Sequence, residues 1–195
     1  MSSRPAADEG TVIAFRDAAQ FEAWLDAHVD LQVGLWLKIA KKGSGVASLT
    51  DDQAVDVGLC YGWISGQRKA CDEVYYLQKY VPRRPGSRWS QVNVAKVEQL
   101  EAAGRMRPSG LAEVEVAKAD GRWAAAYQSQ RNATVPPDLA DALAASAPAA
   151  QAFEALSKTQ RYAVILKLAT ARTATTRAAQ LREVMTTLQE HRAPE

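Results

Sequence analysis

Thr50-Asp51-Asp52-Gln53-Ala54-Val55-Asp56-Val57-Gly58-Leu59-Cys60, followed at once by Tyr61-Gly62-Trp63-Ile64-Ser65-Gly66, sets a helix signal directly before a strand signal. The hydroxyl at Thr50 and the amide at Gln53 have the form of a capping box, in which each side chain satisfies a backbone N–H that the helix start leaves unpaired. A short helix is predicted to run to about Cys60, with Ala54, Val55, Val57 and Leu59 as its apolar stripe. Residues 61–66 and 73–81 read as strands, and Pro82-Arg83-Arg84-Pro85-Gly86 ends the second because no regular element tolerates that run.

Upstream, residues 11–15 alternate like a short strand, and Asp17 is placed to cap a helix carrying Phe21, Trp24, Leu25 and His28 at helical spacing. Residues 33–39 are strand-like, with Val33, Leu35, Leu37 and Ile39 on one face and Gly34, Trp36 and Lys38 on the other, before the loop Lys41-Lys42-Gly43-Ser44-Gly45. Downstream, Ser90 is a good cap for a helix that carries Val92, Val97 and Leu100 and stops at Gly104, and Ser109 opens another that stops near Gly121. The composition then turns alanine-rich. Pro136-Pro137, the second capping box Ser157-Lys158-Thr159-Gln160, and Thr173 punctuate three or four short helices. The expected fold is α+β: a small antiparallel or mixed sheet packed with helices over residues 11–126, then an all-helical module over residues 127–195. Residues 1–10 read as a flexible tail.

Composition excludes more than it selects. The chain has 195 residues, is 47% hydrophobic and 24% charged, and carries a net charge of +2. Those values are ordinary for a globular protein and name no partner. The start lacks a basic segment followed by an apolar run, and charges interrupt every hydrophobic stretch, so neither a secretory signal nor a membrane span is expected and the protein is read as cytoplasmic. Cys60 and Cys71 are read as reduced thiols, since no C-x-x-C pattern accompanies them. His28 and His191 are far apart in sequence, so no metal and no cofactor is called for. His28 reads as a helix-face residue near the core, and His191 as a cation at a helix end.

The most distinctive segment runs over residues 79–89, where Lys79, Arg83, Arg84 and Arg88 occur without an acidic residue and with Tyr80 and Trp89 interleaved. Guanidinium groups present paired donors to phosphate or carboxylate, and Ser90 at a helix start adds backbone N–H groups and a positive dipole end. The plainer reading is a solvated basic turn whose arginines stack on Trp89 or pair with Asp51, Asp52, Asp72 and Glu73.

Leu59-Cys60-Tyr61-Gly62-Trp63-Ile64-Ser65-Gly66 and Pro82-Arg83-Arg84-Pro85-Gly86-Ser87-Arg88-Trp89-Ser90-Gln91-Val92-Asn93 resemble, in order and spacing, two blocks of the YdeI/OmpD-associated (bacteriocin-protection) family. Residues 111–123 are similar to its next block, and residues 136–177 to its helical C-terminal domain. The chain departs from the family at Ser65, where relatives usually carry aspartate. Ser65 cannot act as an anion, which weakens any acid–base role at that position. The resemblance implies a stress-protection role and names no reaction.

Four readings follow. The first is a small anionic ligand bound by Trp63, Ser65, Arg83, Arg84, Trp89, Ser90 and Asn93, with no catalysis. The second is nucleic acid tracked by Arg68, Lys69, Lys79, Arg83, Arg84 and Arg88; against it, the first 120 residues hold 15 basic and 16 acidic residues, a net charge of −1. The third is an enzyme using the same cationic pocket, with Tyr61, Asp72, Glu73 or Tyr80 moving the proton. The fourth makes the C-terminal helices a protein-interaction module, through stripes such as Ala142, Leu143, Ala149 and Phe153.

Overall fold

A computed structural model describes residues 10–171 and 173–190. The expectations for residues 1–9, Arg172 and His191 lie outside the described residues. The fold is α+β, with a four-stranded mixed sheet preceding a run of helices. The chain divides into two compact units: Met1–Ser87 with Ala95–Gly121, and Arg88–Val94 with Arg122–Glu195.

The first unit opens with strand β1 (Val12–Ile13) and helix α1 (Ala18–Ala27), whose cap Asp17 accepts the Gln20 N–H at 2.9 Å. Strand β2 (Leu35–Ala40) and helix α2 (Asp51–Cys60) follow. The capping box at α2 is present in full: Thr50 Oγ1 accepts from Gln53 N at 3.2 Å, and Gln53 Oε1 accepts from Thr50 N at 3.0 Å. Strands β3 (Trp63–Ala70) and β4 (Tyr75–Pro82) complete the sheet. The strand order is β1-β2-β4-β3, with β1 parallel to β2 and the other pairs antiparallel.

Alternation along the strands separates two faces. Leu35, Leu37 and Ile39 lie opposite Tyr80, Gln78 and Tyr76, and this face builds a core with Phe21, Leu25, Ala54 and Val57. Phe21 meets Tyr80 edge-on at 5.9 Å, and Trp24 meets Trp63 edge-on at 6.3 Å. Gln78 is polar yet only 4% exposed, because β3 bulges between Ser65 and Arg68 and the Gln78 amide donates to the carbonyls of Gly66 (2.9 Å) and Gln67 (3.1 Å).

Some boundaries differ from the expectation. Val33 lies ahead of β2 and is 68% exposed, while Trp36, expected on the opposite face from the core residues, is also buried. The fourth strand starts at Tyr75 because Asp72 Oδ1 accepts from Val74 N and Tyr75 N, at 2.9 and 2.7 Å, and holds residues 72–74 in a turn. His28 ends α1 as an exposed residue stacked on Trp24 at 4.1 Å.

Helix α3 (Gln91–Ala102) starts in the second unit and continues into the first, and helix α4 (Pro108–Ala119) follows. Helix α4 begins at Pro108 rather than Ser109, since proline at the first position sacrifices an N–H that would have no partner there. Gly110 of α4 rests on the α2–β3 junction so closely that a Cβ would lie 2.1 Å from the Cys60 carbonyl oxygen.

The second unit contains helices α5 (Pro137–Ala144), α6 (Ala147–Ala155), α7 (Lys158–Ala169) and α8 (Ala174–Glu190). Leu139, Leu143, Ala149, Phe153, Leu168, Val184 and Leu188 form its core. Arg177 ties α5 to α7: it donates to Asp138 at 2.7 and 2.8 Å and to the Leu168 carbonyl at 2.8 Å. Its guanidinium holds the Asp138 carboxyl below the usual carboxylate range.

The Gly110 contact is open to a direct test. Alanine is intrinsically the better helix former by about 1 kcal/mol, but its Cβ collides with backbone, which cannot rotate away. Gly110→Ala is expected to destabilise the protein by about 2–3 kcal/mol, read as a lower urea midpoint at unchanged slope.

Candidate functional site

The basic loop is built by local chemistry that the sequence prescribes. Arg84-Pro85-Gly86-Ser87 forms a tight turn in which Ser87 N donates to the Arg84 carbonyl at 2.9 Å, and Gly86 takes the left-handed φ of 81°. Proline followed by glycine suits a turn of this kind. Ser87 Oγ accepts from Arg84 N at 2.9 Å, so the turn is closed from both sides. Just before it, Arg83 N donates to the Gly62 carbonyl at 2.9 Å, which fastens the end of β4 to the α2–β3 junction.

That junction explains the glycines of the Leu59–Gly66 block. Gly62 has φ of 77°, and a Cβ there would press on Glu113 Cγ and the Ser109 carbonyl oxygen at 3.1 Å each. A Cβ at Gly58 would meet the Tyr80 ring at 3.0 Å. Backbone therefore packs where side chains cannot fit.

Lys79, Arg83 and Arg84 line one cavity of about 450 Å³, together with Gly10, Gln32, Val33, Gly34, Val81, Pro82 and Pro85. Among the described residues, three cations and no carboxylate line it. Gly34 is required at its wall, since a Cβ would stand 2.5 Å from the Tyr80 carbonyl oxygen. Arg84 is exposed, whereas Arg83 is only 6% exposed.

The other expected site residues are placed differently. Trp63 is buried in the core beside Trp24, and Ser65 lies on β3 opposite Tyr80; neither lines the cavity. Trp89, Ser90 and Asn93 belong to the second unit. There Trp89 is 2% exposed and packs on Trp123 at 4.9 Å, and Ser90 bridges to Tyr127. Ser90 Oγ accepts the Asn93 backbone N–H at 3.2 Å, the helix cap that the sequence led one to expect. Lys79 and the wall residues Gly10, Gln32 and Gly34 were missing from the expected anion-binding set; the stretch from Lys79 to Arg88, with four cations and no acidic residue, was the signal for Lys79.

Of the groups considered for proton transfer, Tyr61 and Asp72 are held by hydrogen bonds and Tyr80 is buried. Tyr61 donates to Asp26 Oδ1 at 2.6 Å, and burial, reinforced by this hydrogen bond, pushes its pKa up to about 12. Burial also raises the Tyr80 hydroxyl, which has no hydrogen-bond partner among the described residues. The Tyr75 and Val74 N–H groups hold the Asp72 carboxyl below the usual carboxylate range. Cys60 is buried and Cys71 exposed, both as free thiols, and burial raises Cys60. Among the described residues, no group of three or more His, Cys, Asp or Glu is placed to hold a metal, and no helix is long and apolar enough to cross a membrane.

Tyr61 gives a signed pH effect. Its folded pKa lies above its unfolded value of about 10, so its contribution is complete below pH 10 and is lost as pH rises toward about 12. Urea midpoints measured up this alkaline range should fall less steeply for Tyr61→Phe than for the parent.

Comparison with known proteins divides the chain in two. Residues 13–113 match a family model described as a domain of unknown function (DUF8412), and residues 132–191 match one described as bacteriocin-protection, YdeI or OmpD-associated. No curated protein and no solved structure matches. The Leu59–Gly66 and Pro82–Asn93 blocks, which resemble the YdeI/OmpD-associated family in sequence, both fall wholly within the first match, while the YdeI/OmpD-associated match covers helices α5 to α8. The chain belongs to the family defined by that domain of unknown function, and its residues 132–191 are similar to the YdeI/OmpD-associated domain.

Proposed function

We propose that the first unit is a binding domain for a small anion, a phosphate- or carboxylate-bearing metabolite, received in the cavity of Lys79, Arg83 and Arg84. One observation carries the reading: three cations from a strand end and a closed turn line a single cavity with no carboxylate among its described residues. An anion there gains charge-assisted hydrogen bonds, each about twice as strong as a neutral one. The turn fixes the Arg84 backbone before any ligand arrives, so less freedom is lost on binding. The bacteriocin-protection description of the C-terminal match supports a stress-protection role.

The test is a thermal-shift screen against nucleotides, phosphorylated metabolites and carboxylates, followed by calorimetry on any hit. A ligand at about 100 times its dissociation constant stabilises by about 2.7 kcal/mol. Arg84→Ala removes an exposed cation without opening the core, and should weaken the hit by about tenfold or more. Unchanged affinity in this variant would end the proposal.

A further inference from the structure

The sheet has a second face, and its composition is distinctive. Opposite the helix-covered side, alternation places Trp36 and Lys38 of β2, Tyr75, Leu77 and Lys79 of β4, and Lys69 of β3. Lys69 is exposed, and Lys38, Tyr75, Leu77 and Lys79 are half-buried. Each lysine lies over an aromatic ring: Lys69 Nζ 4.3 Å and Lys79 Nζ 5.4 Å from the Trp36 centroid, and Lys38 Nζ 4.3 Å from that of Tyr75. The rings hold the ammonium groups in place above the sheet.

The register gives their spacing. Lys38 and Lys69 both lie opposite Leu77, one from each side, so their Cα atoms are about 10 Å apart across three strands. Lys79 stands two residues further along β4, about 7 Å away. Asp72 lies 3.7 Å from Lys38 Nζ. Carboxylates of α1 and α2 are engaged elsewhere: Asp51 pairs with Arg68, Asp52 and Asp56 pair with Lys96, and Asp26 accepts from Tyr61, while Glu73 stands exposed in the turn between β3 and β4. A near-neutral unit thus carries segregated charge, and the net value hides a cationic face.

We infer that this face is a binding surface for single-stranded nucleic acid, whose phosphates run over Lys38, Lys69 and Lys79. Charge complementarity selects a polyanion. A flat strand surface favours a single strand, since duplex grooves receive helices or two-stranded ribbons, whereas open sheets receive unpaired strands. Trp36 is buried and props the lysines, so phosphate contact dominates and sequence preference is weak. The surface meets the anion cavity at Lys79, while Lys38 and Lys69 do not line that cavity.

The experiment measures fluorescence anisotropy of a labelled oligothymidylate of about 15 nucleotides against the full chain, between about 50 and 200 mM salt. Three phosphate contacts predict a log–log salt slope of about −2, and the double variant Lys38→Gln, Lys69→Gln should lower its magnitude by about 1.4 and weaken binding by about tenfold or more at low salt. Arg84→Ala should leave that binding within about threefold, which separates this surface from the cavity. Lysine acetylation mapped by mass spectrometry on the unmodified protein gives a variant-free check, with Lys38, Lys69 and Lys79 protected by the oligonucleotide. The inference is overturned if the double variant binds like the parent, if the three lysines are not protected, or if a duplex or inorganic polyphosphate binds as tightly.

Discussion

The first unit depends on how closely backbone approaches backbone at the junction of α2 and β3. Three glycines make that possible: Gly58 under the Tyr80 ring, Gly62 in a left-handed turn, and Gly110 against the Cys60 carbonyl. With those distances set, Arg107 N reaches the Cys60 carbonyl at 3.0 Å and Arg83 N reaches that of Gly62 at 2.9 Å. The second of these bonds decides where β4 stops and where the basic turn begins. A constraint of packing therefore sets the position of the cations.

From β4 the charges are distributed by the period of the strand. Tyr76, Gln78 and Tyr80 turn toward the helices, where burial raises the two phenols and the glutamine closes a bulge. Lys79 turns the other way and belongs both to the cationic face and to the cavity. Arg68 and Lys69 are neighbours in sequence but opposites in space: the first pairs with Asp51 at 2.7 Å, the second lies over Trp36. A count of basic residues in the sequence cannot make this distinction, because it is a property of pleat and register.

Local signals were the most legible part of the chain. Both capping boxes, the caps at Asp17, Ser90 and Thr173, and the helix stops at Gly104 and Gly121 were readable because each rests on one side chain or one φ angle. What depends on distant partners was less so. The burial of Trp63 and Trp89, the covering of Trp36 by lysines, and the start of β4 after the Asp72 turn require contacts that spacing does not encode. The basic loop was found from its composition, whereas its companions Gly10, Gln32 and Gly34 come from connecting segments remote in sequence and individually unremarkable.

The central claim is that the end of β4 and its turn receive an anion. Titrating ¹⁵N-labelled protein with inorganic phosphate and then pyrophosphate while following backbone amide shifts tests it most directly. Saturable shifts concentrated at Gly34, Lys79, Arg83 and Arg84 are the predicted result. Shifts that do not saturate, or that concentrate away from these residues, would contradict it.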